Sequence, residues 1–151
     1  MIIQNPPYSL YNFPLHNFIK LPVIDTYKEM TIHLDPDGEE MIYQFKDFKG
    51  NLLAICTLDN DSLDRPIIAA VEVNNNLRNK GIGYLIYEYL ITKYNGIYSD
   101  TILSDAAFSI WKKLAKSYQV QVHDEDMFIS NTIDDAIIDD NWFSRLRVFI
   151  K

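Results

Sequence analysis

Ile67-Ile-Ala-Ala-Val-Glu-Val73, Asn74-Asn-Asn-Leu77, Arg78-Asn-Lys-Gly-Ile-Gly83 and Tyr84-Leu-Ile-Tyr-Glu-Tyr-Leu-Ile-Thr-Lys-Tyr94 run without a break through the middle of the chain. The first piece is apolar and β-branched with one acid inside it, the pattern of a buried strand. The last piece is a long apolar and aromatic run that predicts a helix. Between them lies a short turn with Gly81, Gly83 and two cations, Arg78 and Lys80. A strand that feeds a glycine turn and opens a helix is an anion site by construction. The first helical turn has amide protons without intrahelical partners, and the positive end of the helix dipole points the same way. Glycine removes the Cβ atoms that would hold a phosphate off that backbone.

The glycine spacing selects among phosphate ligands. A dinucleotide turn needs three glycines as Gly-x-Gly-x-x-Gly, and position 86 is Ile. A P-loop needs Gly-Lys-Ser/Thr, whereas Gly83 is followed by Tyr84 and Leu85. The run Arg78-Asn79-Lys80-Gly81-Ile82-Gly83 resembles the acyl-CoA turn of the GNAT superfamily of N-acetyltransferases, Arg/Gln-x-x-Gly-x-Gly/Ala. The resemblance implies that the backbone from Arg78 through Asn79, Lys80, Gly81, Ile82 and Gly83 to about Tyr84 holds the pyrophosphate of acetyl-CoA, the acetyl donor. The bare alternative is a strand-to-helix turn softened by glycine, with no ligand.

Length and composition bound the rest. At 151 residues the chain predicts a single domain with one substantial core. A hydrophobic fraction of 48% with 23% charged residues is ordinary for a globular protein. No stretch has the length of a membrane span, and Met1-Ile-Ile-Gln-Asn-Pro-Pro7 lacks the basic start and apolar core of a signal peptide, so a cytoplasmic location is expected. The net charge of −7 argues against a nucleic-acid partner, and suits either solubility or a cationic substrate. Cys56 is the only cysteine and lies in an apolar strand, which predicts a buried inert thiol.

Residues 1–26 hold four of the six prolines, Pro6, Pro7, Pro14 and Pro22, which exclude a long helix there. This variable segment shapes the acceptor site in the resembled family, but its residues match nothing specific. Runs at 27–34, 40–48 and 52–58, separated by Asp35-Pro36-Asp37-Gly38 and Lys49-Gly50-Asn51, predict an antiparallel meander ahead of the central strand. His33 reads as a strand-end histidine. In the helix, Ile82, Leu85, Ile86, Tyr89 and Leu90 share a stripe, with Tyr84, Tyr87 and Tyr94 off it. Asn95-Gly96 ends the helix, with Gly96 at the usual left-handed cap. A strand over 97–103, interrupted by Ser99-Asp100, follows, and a right-handed crossover makes it parallel to the central strand. Ser104 or Asp105 caps a second helix to about Ser117. A strand over 118–123, an acidic loop over 124–141 and a last strand over 142–150 complete the chain. The acids of that loop suggest no metal site, because they lack the alternating oxygens and glycine of a cation loop. His16 and His123 have no partner by spacing and read as structural.

This order resembles a GNAT domain over roughly residues 27–150. The implied fold class is mixed α/β: a mostly antiparallel sheet of about six or seven strands, a central parallel pair and flanking helices. The resemblance implies that the central strand splays from the next parallel strand. An amide from Val71 to Val73 would then hold the thioester oxygen, where negative charge develops. Glu72, the only acid from Ile67 to Val73, is the candidate general base for the incoming amine; the alternative is a carboxylate on the solvated side of the strand. The family's acid is usually a tyrosine, in Asn-x-x-Ala-x-x-x-Tyr-x-Lys. Here Ser104, Ala107, Trp111 and Lys113 hold those four positions. Ser104 would take the place of the asparagine beside the cofactor. Trp111 can donate a hydrogen bond to the sulfur but cannot give up its proton, a role for which Tyr118 or Tyr98 could substitute. This variant resembles acetyltransferase-like proteins encoded by bacteriophages. The expected function is transfer of acetyl to a primary amine of a small molecule or a protein, with homodimers frequent in the family. The alternatives are a non-catalytic relative that binds CoA or a protein partner, and a host-interaction protein without CoA.

Overall fold

The computed structural model describes residues 1–5, 11, 19–60, 63–78, 80–124, 127–133, 138 and 144–149. Eleven strands and two α-helices follow one another among them. The strands are β1 (Ile2–Ile3), β2 (Val23–Tyr27), β3 (Met30–Leu34), β4 (Met41–Asp47), β5 (Leu52–Asp59) and β6 (Ile67–Val73). A 3-10 turn at Asn75–Leu77 leads to α1 (Ile82–Tyr94). Then come β7 (Gly96–Ser99), β8 (Leu103–Ser104), α2 (Asp105–Leu114), β9 (Val120–Asp124), β10 (Met127–Ser130) and β11 (Ser144–Phe149).

Nine strands form one sheet in the order β10-β9-β11-β7-β6-β5-β4-β3-β2, and β1 pairs in parallel with β8. Within the large sheet every pairing is antiparallel except β6 with β7. This is the mixed α/β architecture expected, with a central parallel pair, but with more strands than six or seven. The strand expected over 27–34 is β3, Met30–Leu34; its expected start is instead the end of a further strand, β2, which closes at Tyr27, and a tight turn in which Lys28 takes φ 55°. The expected acidic loop over 124–141 contains β10, antiparallel to β9, so part of it extends the sheet. Among its acids only Asp124 is described. Trp142, Phe143 and Ile150 also lie outside the described residues, as do Pro6, Pro7, Pro14 and His16.

The main core joins one sheet face to the two helices. Tyr43, Phe45, Ala54 and Cys56 alternate toward Ile86, Tyr89, Leu90 and Trp111. Burial pushes the Cys56 thiol up, in keeping with an inert side chain. The opposite face is covered as well: Gln44 donates from Nε2 to Ile19 O at 3.2 Å, and His33 Nδ1 pairs with Leu21 O at 3.0 Å. His33 is therefore the strand-end histidine expected, next to last in β3, and it is buried.

Helix α1 buries Tyr87 and Ile91 along with Ile86, Tyr89 and Leu90. Tyr87 leaves the expected stripe because a second surface covers it: its ring meets Trp111 of α2 edge-on at 5.8 Å. Asn95, not Gly96, takes the left-handed cap of α1 at φ 58°, and its N–H donates to Ile91 O. Helix α2 ends at Leu114 and buries Phe108, Trp111 and Leu114; Ala115 is its cap and faces solvent.

Candidate functional site

Strand β6 is paired along its whole length on one side only. On the β5 side the register runs from Asp59↔Ile67 to Ala54↔Val73. On the β7 side it stops after Ile67↔Tyr98 and Ile68↔Ser99. The central parallel strands therefore meet at one end and part toward the glycine turn. Leu58 faces Ile68 and Thr57 faces Ala70, so Ala69 is an extra residue that forms a bulge. The bulge reverses the side to which each backbone group points. Pro66 O faces β7 and accepts from Tyr98 N at 2.9 Å, whereas eight residues later Asn74 N faces β5 and donates to Leu53 O at 2.8 Å. Counting back from Asn74, Glu72 N–H points to β5, and the N–H groups of Val71 and Val73 point to the parting. Arg78 Nε donates to Val73 O at 3.4 Å on that same side.

The side chains of β6 divide the other way. Val73 and Val71 face Ala54 and Cys56 and pack on the core beneath the helices. Glu72 faces Ile55 on the opposite sheet face. There its Oε2 accepts the Tyr11 N–H at 3.0 Å. The Tyr11 hydroxyl bonds Thr57 Oγ1, and burial above all pushes that phenol up to about 12, with Cys56 and Glu72 adding to it and the Thr57 bond opposing. Tyr11 and Thr57 were not legible as neighbours of Glu72. Thr57 shares a strand face with Ile55, but nothing in a proline-broken segment singles out one tyrosine.

At the far side of the parting, Gly81 sits at φ 79°, a left-handed conformation that side chains rarely adopt, and a Cβ built there meets nothing within 4 Å. Backbone shape, not crowding, calls for glycine at this position. Gly81 is the N-cap of α1 and offers no side chain; the first turn holds no acid. Arg78 and Lys80 are exposed beside it. Ile82, Gly83 and Tyr84 are the first three residues of α1, and Leu85 N is the first to close on Gly81 O, at 3.1 Å. Asn79 lies outside the described residues. Gly83 is crowded instead: a Cβ there would lie 2.8 Å from Ile110 Cδ1 of α2 and 3.9 Å from Val73 Cγ2.

The two candidates from α2 stand differently. Ser104 Oγ accepts the Ala107 N–H at 3.2 Å and is the N-cap of α2, so its oxygen already has a structural partner. Trp111 is fully buried in the core cluster. Among the described residues its indole Nε1 has no hydrogen-bond partner. It lies close enough to the Tyr87 hydroxyl to oppose slightly the upward push of burial there, without regular hydrogen-bond geometry. The structure thus gathers Val71, Val73, Arg78, Lys80, Gly81, Ile82, Gly83 and Tyr84 around the parting. Glu72 lies across the sheet, and Trp111 lies beneath in the core.

Among the described residues no helix is long and apolar enough to cross a membrane. No protein-family model matches the chain, and no curated protein matches it. Among solved structures, the chain is similar to a GNAT family acetyltransferase from Elizabethkingia anophelis with acetyl-CoA bound, at 14% identity over 83% of this chain and 99% of that one, TM-score 0.49. It is similar to an acetyltransferase of the GNAT family from Staphylococcus aureus at 15% identity, over 74% of this chain and 68% of that one, TM-score 0.46. It is similar also to a Bacillus subtilis acetyltransferase in complex with CoA, at 16% identity over 74% and 76% of the two chains, TM-score 0.44.

Proposed function

We propose that the chain is an acetyl-CoA-dependent N-acetyltransferase that acts on a primary amine of a small molecule or a protein. One observation carries this reading. The open helix end at Gly81 and the Glu72 carboxylate lie on opposite faces of the sheet, and the parallel strands part between them after Ile68. A ligand with an anionic end and a long narrow arm fits that arrangement, with its anion on the amides of α1 and its arm in the parting. The residues present suit such a group: Gly81 leaves open space, the first turn of α1 carries no acid, and Arg78 and Lys80 add positive charge.

Acetyl-CoA, when bound, supplies an activated acetyl thioester. The N–H groups of Val71 and Val73 face the parting, where they can hold the thioester oxygen. Glu72 serves as the base that takes the proton from the amine, directly or through one water. Its carboxylate is oriented by the Tyr11 N–H. Trp111 supplies no proton; a thiolate leaving group with water nearby needs none from the protein.

The buried position of Trp111 favours a second reading, in which the chain keeps the fold and the CoA turn and acts on a protein partner, as in a phage–host encounter. Two measurements separate the readings. Thermal unfolding is followed with acetyl-CoA, with CoA and with neither, and CoA release is followed with a panel of amines. A ligand at about 100 times its Kd adds roughly 2.7 kcal/mol, which raises Tm by about 5–10 °C for a chain of this size. A shift together with CoA release supports the enzyme, and Glu72→Gln then lowers release about 10²- to 10⁴-fold while the shift persists. A shift without release from any amine supports the binding protein. No shift with either ligand overturns both.

A further inference from the structure

One row of side chains crosses the sheet on the face away from the helices. His33 pairs with Gln44, Gln44 with Ile55 and Ile55 with Glu72, so the row runs straight across β3, β4, β5 and β6. Its ends lie three strand spacings apart, about 14 Å. The segment that leads into β2 is held to one end of this row. Leu21 O accepts from His33 Nδ1 at 3.0 Å, and Ile19 O accepts from Gln44 Nε2 at 3.2 Å. Pro22 O accepts from Leu34 N at 3.1 Å and continues the hold into β2. At the other end, Tyr11 N–H donates to Glu72 Oε2 at 3.0 Å, and the Tyr11 hydroxyl bonds Thr57 Oγ1. Both ends of the row thus hold the same stretch of chain.

Gln44 is fully buried and His33 is 8% exposed, whereas Ile19 and Lys20 are exposed. A buried amide or imidazole costs free energy unless it is bonded. These two place their donors on carbonyls of a segment that belongs to no strand. A carbonyl only accepts, so His33 carries its proton on Nδ1, and its Nε2 meets Thr31 Oγ1 at 2.9 Å. Ile19 stands eight residues after Tyr11, a tether that reaches roughly 28 Å at full extension. Fixing one end of so short a tether raises the local concentration of the other end at its seat. We propose that His33 and Gln44 are positioning residues for the Glu72 carboxylate: they moor residues 19–22, and the moored segment keeps the Tyr11 N–H on Oε2. The inference rests on the reading of Glu72 as the base. It extends that role to side chains on β4 and β3, two and three strands away from β6.

The test reads the carboxylate directly and needs no amine. Isotope-labelled protein gives the Glu72 Cδ NMR resonance, assigned by its loss in Glu72→Gln, and the hydrogen-exchange rate of the Tyr11 amide. Gln44→Met and His33→Leu each remove one donor at similar volume, and His33→Asn restores a donor at the place of Nδ1. In Gln44→Met and in His33→Leu the Glu72 resonance moves and the Tyr11 amide exchanges about three- to tenfold faster, while His33→Asn stays close to the unaltered chain. The Cys56 and Leu146 amides keep their rates. An unmoved resonance with unchanged Tyr11 exchange in both variants, changes that His33→Asn fails to recover, or equal acceleration at Cys56 and Leu146 overturns the inference. CoA release from acetyl-CoA with n-butylamine is followed on the same proteins, where kcat falls in step with Tyr11 exchange and KM for acetyl-CoA holds. An unaltered chain that releases no CoA counts against the catalytic reading, and the Glu72 resonance still decides the mooring.

Discussion

The two helices of this chain begin in opposite ways. At α2 the chain closes its own helix end: Ser104 Oγ accepts from Ala107 N at 3.2 Å, Asn5 Oδ1 accepts from Ala106 N at 3.0 Å, and Asp105 places a negative charge in the first turn. At α1 the cap is Gly81, with no side chain to offer, no acid follows, and two cations precede it. The same backbone physics acts at both ends, since each helix starts with amide protons that need acceptors. One helix meets that need internally. The other leaves it to water or to an anion, beside the place where β6 and β7 part. The difference separates a helix whose first amides are closed by the chain's own side chains from a helix whose first amides stay open, the end that the proposed site uses.

The largest expected effect tests the packing half of this contrast. Trp111 is the largest fully buried side chain of α2, so Trp111→Ala should cost about 3–5 kcal/mol in chemical denaturation. Trp111→Phe should cost far less, within about 1 kcal/mol, because it keeps most of the ring contact and removes an indole N–H with no partner among the described residues. A Phe variant as unstable as the Ala variant would show that the indole nitrogen holds a bond that the packing account lacks.

The presenting half is tested next. Gly81→Val forces a β-branched residue to φ 79° and builds its side chain into the space above the first turn. The acetyl-CoA contribution of roughly 2.7 kcal/mol at about 100 times its Kd should vanish in this variant. Valine there also strains the free protein by about 1–2 kcal/mol, so the comparison is the ligand-dependent shift of each variant and not its absolute Tm. Survival of the shift would place the anion elsewhere. Ser104→Ala should cost about 1 kcal/mol as a lost N-cap and leave the acetyl-CoA shift unchanged. Loss of that shift would restore Ser104 to the cofactor and blur the line between the two helix ends.

How much of this was legible in the sequence follows from range. The strand, glycine turn and α1 are set by local pattern, and they stand where the pattern puts them. The cap of α2 was legible for the same reason: Ser104 and Ala107 are three residues apart. The hairpin at Lys28 was missed because a tight turn through a positive φ at lysine leaves no glycine or proline signal. The buried side of Tyr87 was missed because it depends on α2, packed against it from outside the local period. Tyr11 beside Glu72 is 61 residues away in sequence and depends wholly on the path of the N-terminal segment. The parting of β6 and β7 is intermediate: the crossover predicts a parallel pair, but where pairing ends rests on a bulge at Ala69 that alternation alone does not reveal.

The smallest effect is expected at Gly83, where the packing and presenting accounts compete for one residue. Helix preference favours alanine over glycine by about 1 kcal/mol in a helix interior and by roughly half that at Gly83, the second residue of α1. Against that, a Cβ would lie 2.8 Å from Ile110 Cδ1, the movable end of a flexible side chain. The two terms nearly cancel, so Gly83→Ala should change stability by less than about 0.5 kcal/mol. Ile110→Val removes that methyl group, and in its background Gly83→Ala should become stabilising by about 0.5 kcal/mol. If Gly83 serves only the contact with α2, the acetyl-CoA shift returns to its full size in the double variant. If it serves the approach of an anion to the backbone, the shift stays reduced whatever stands at position 110. That outcome would extend the open end of α1 from Gly81 into its first turn, which is where the amides of Ile82, Gly83 and Tyr84 lie.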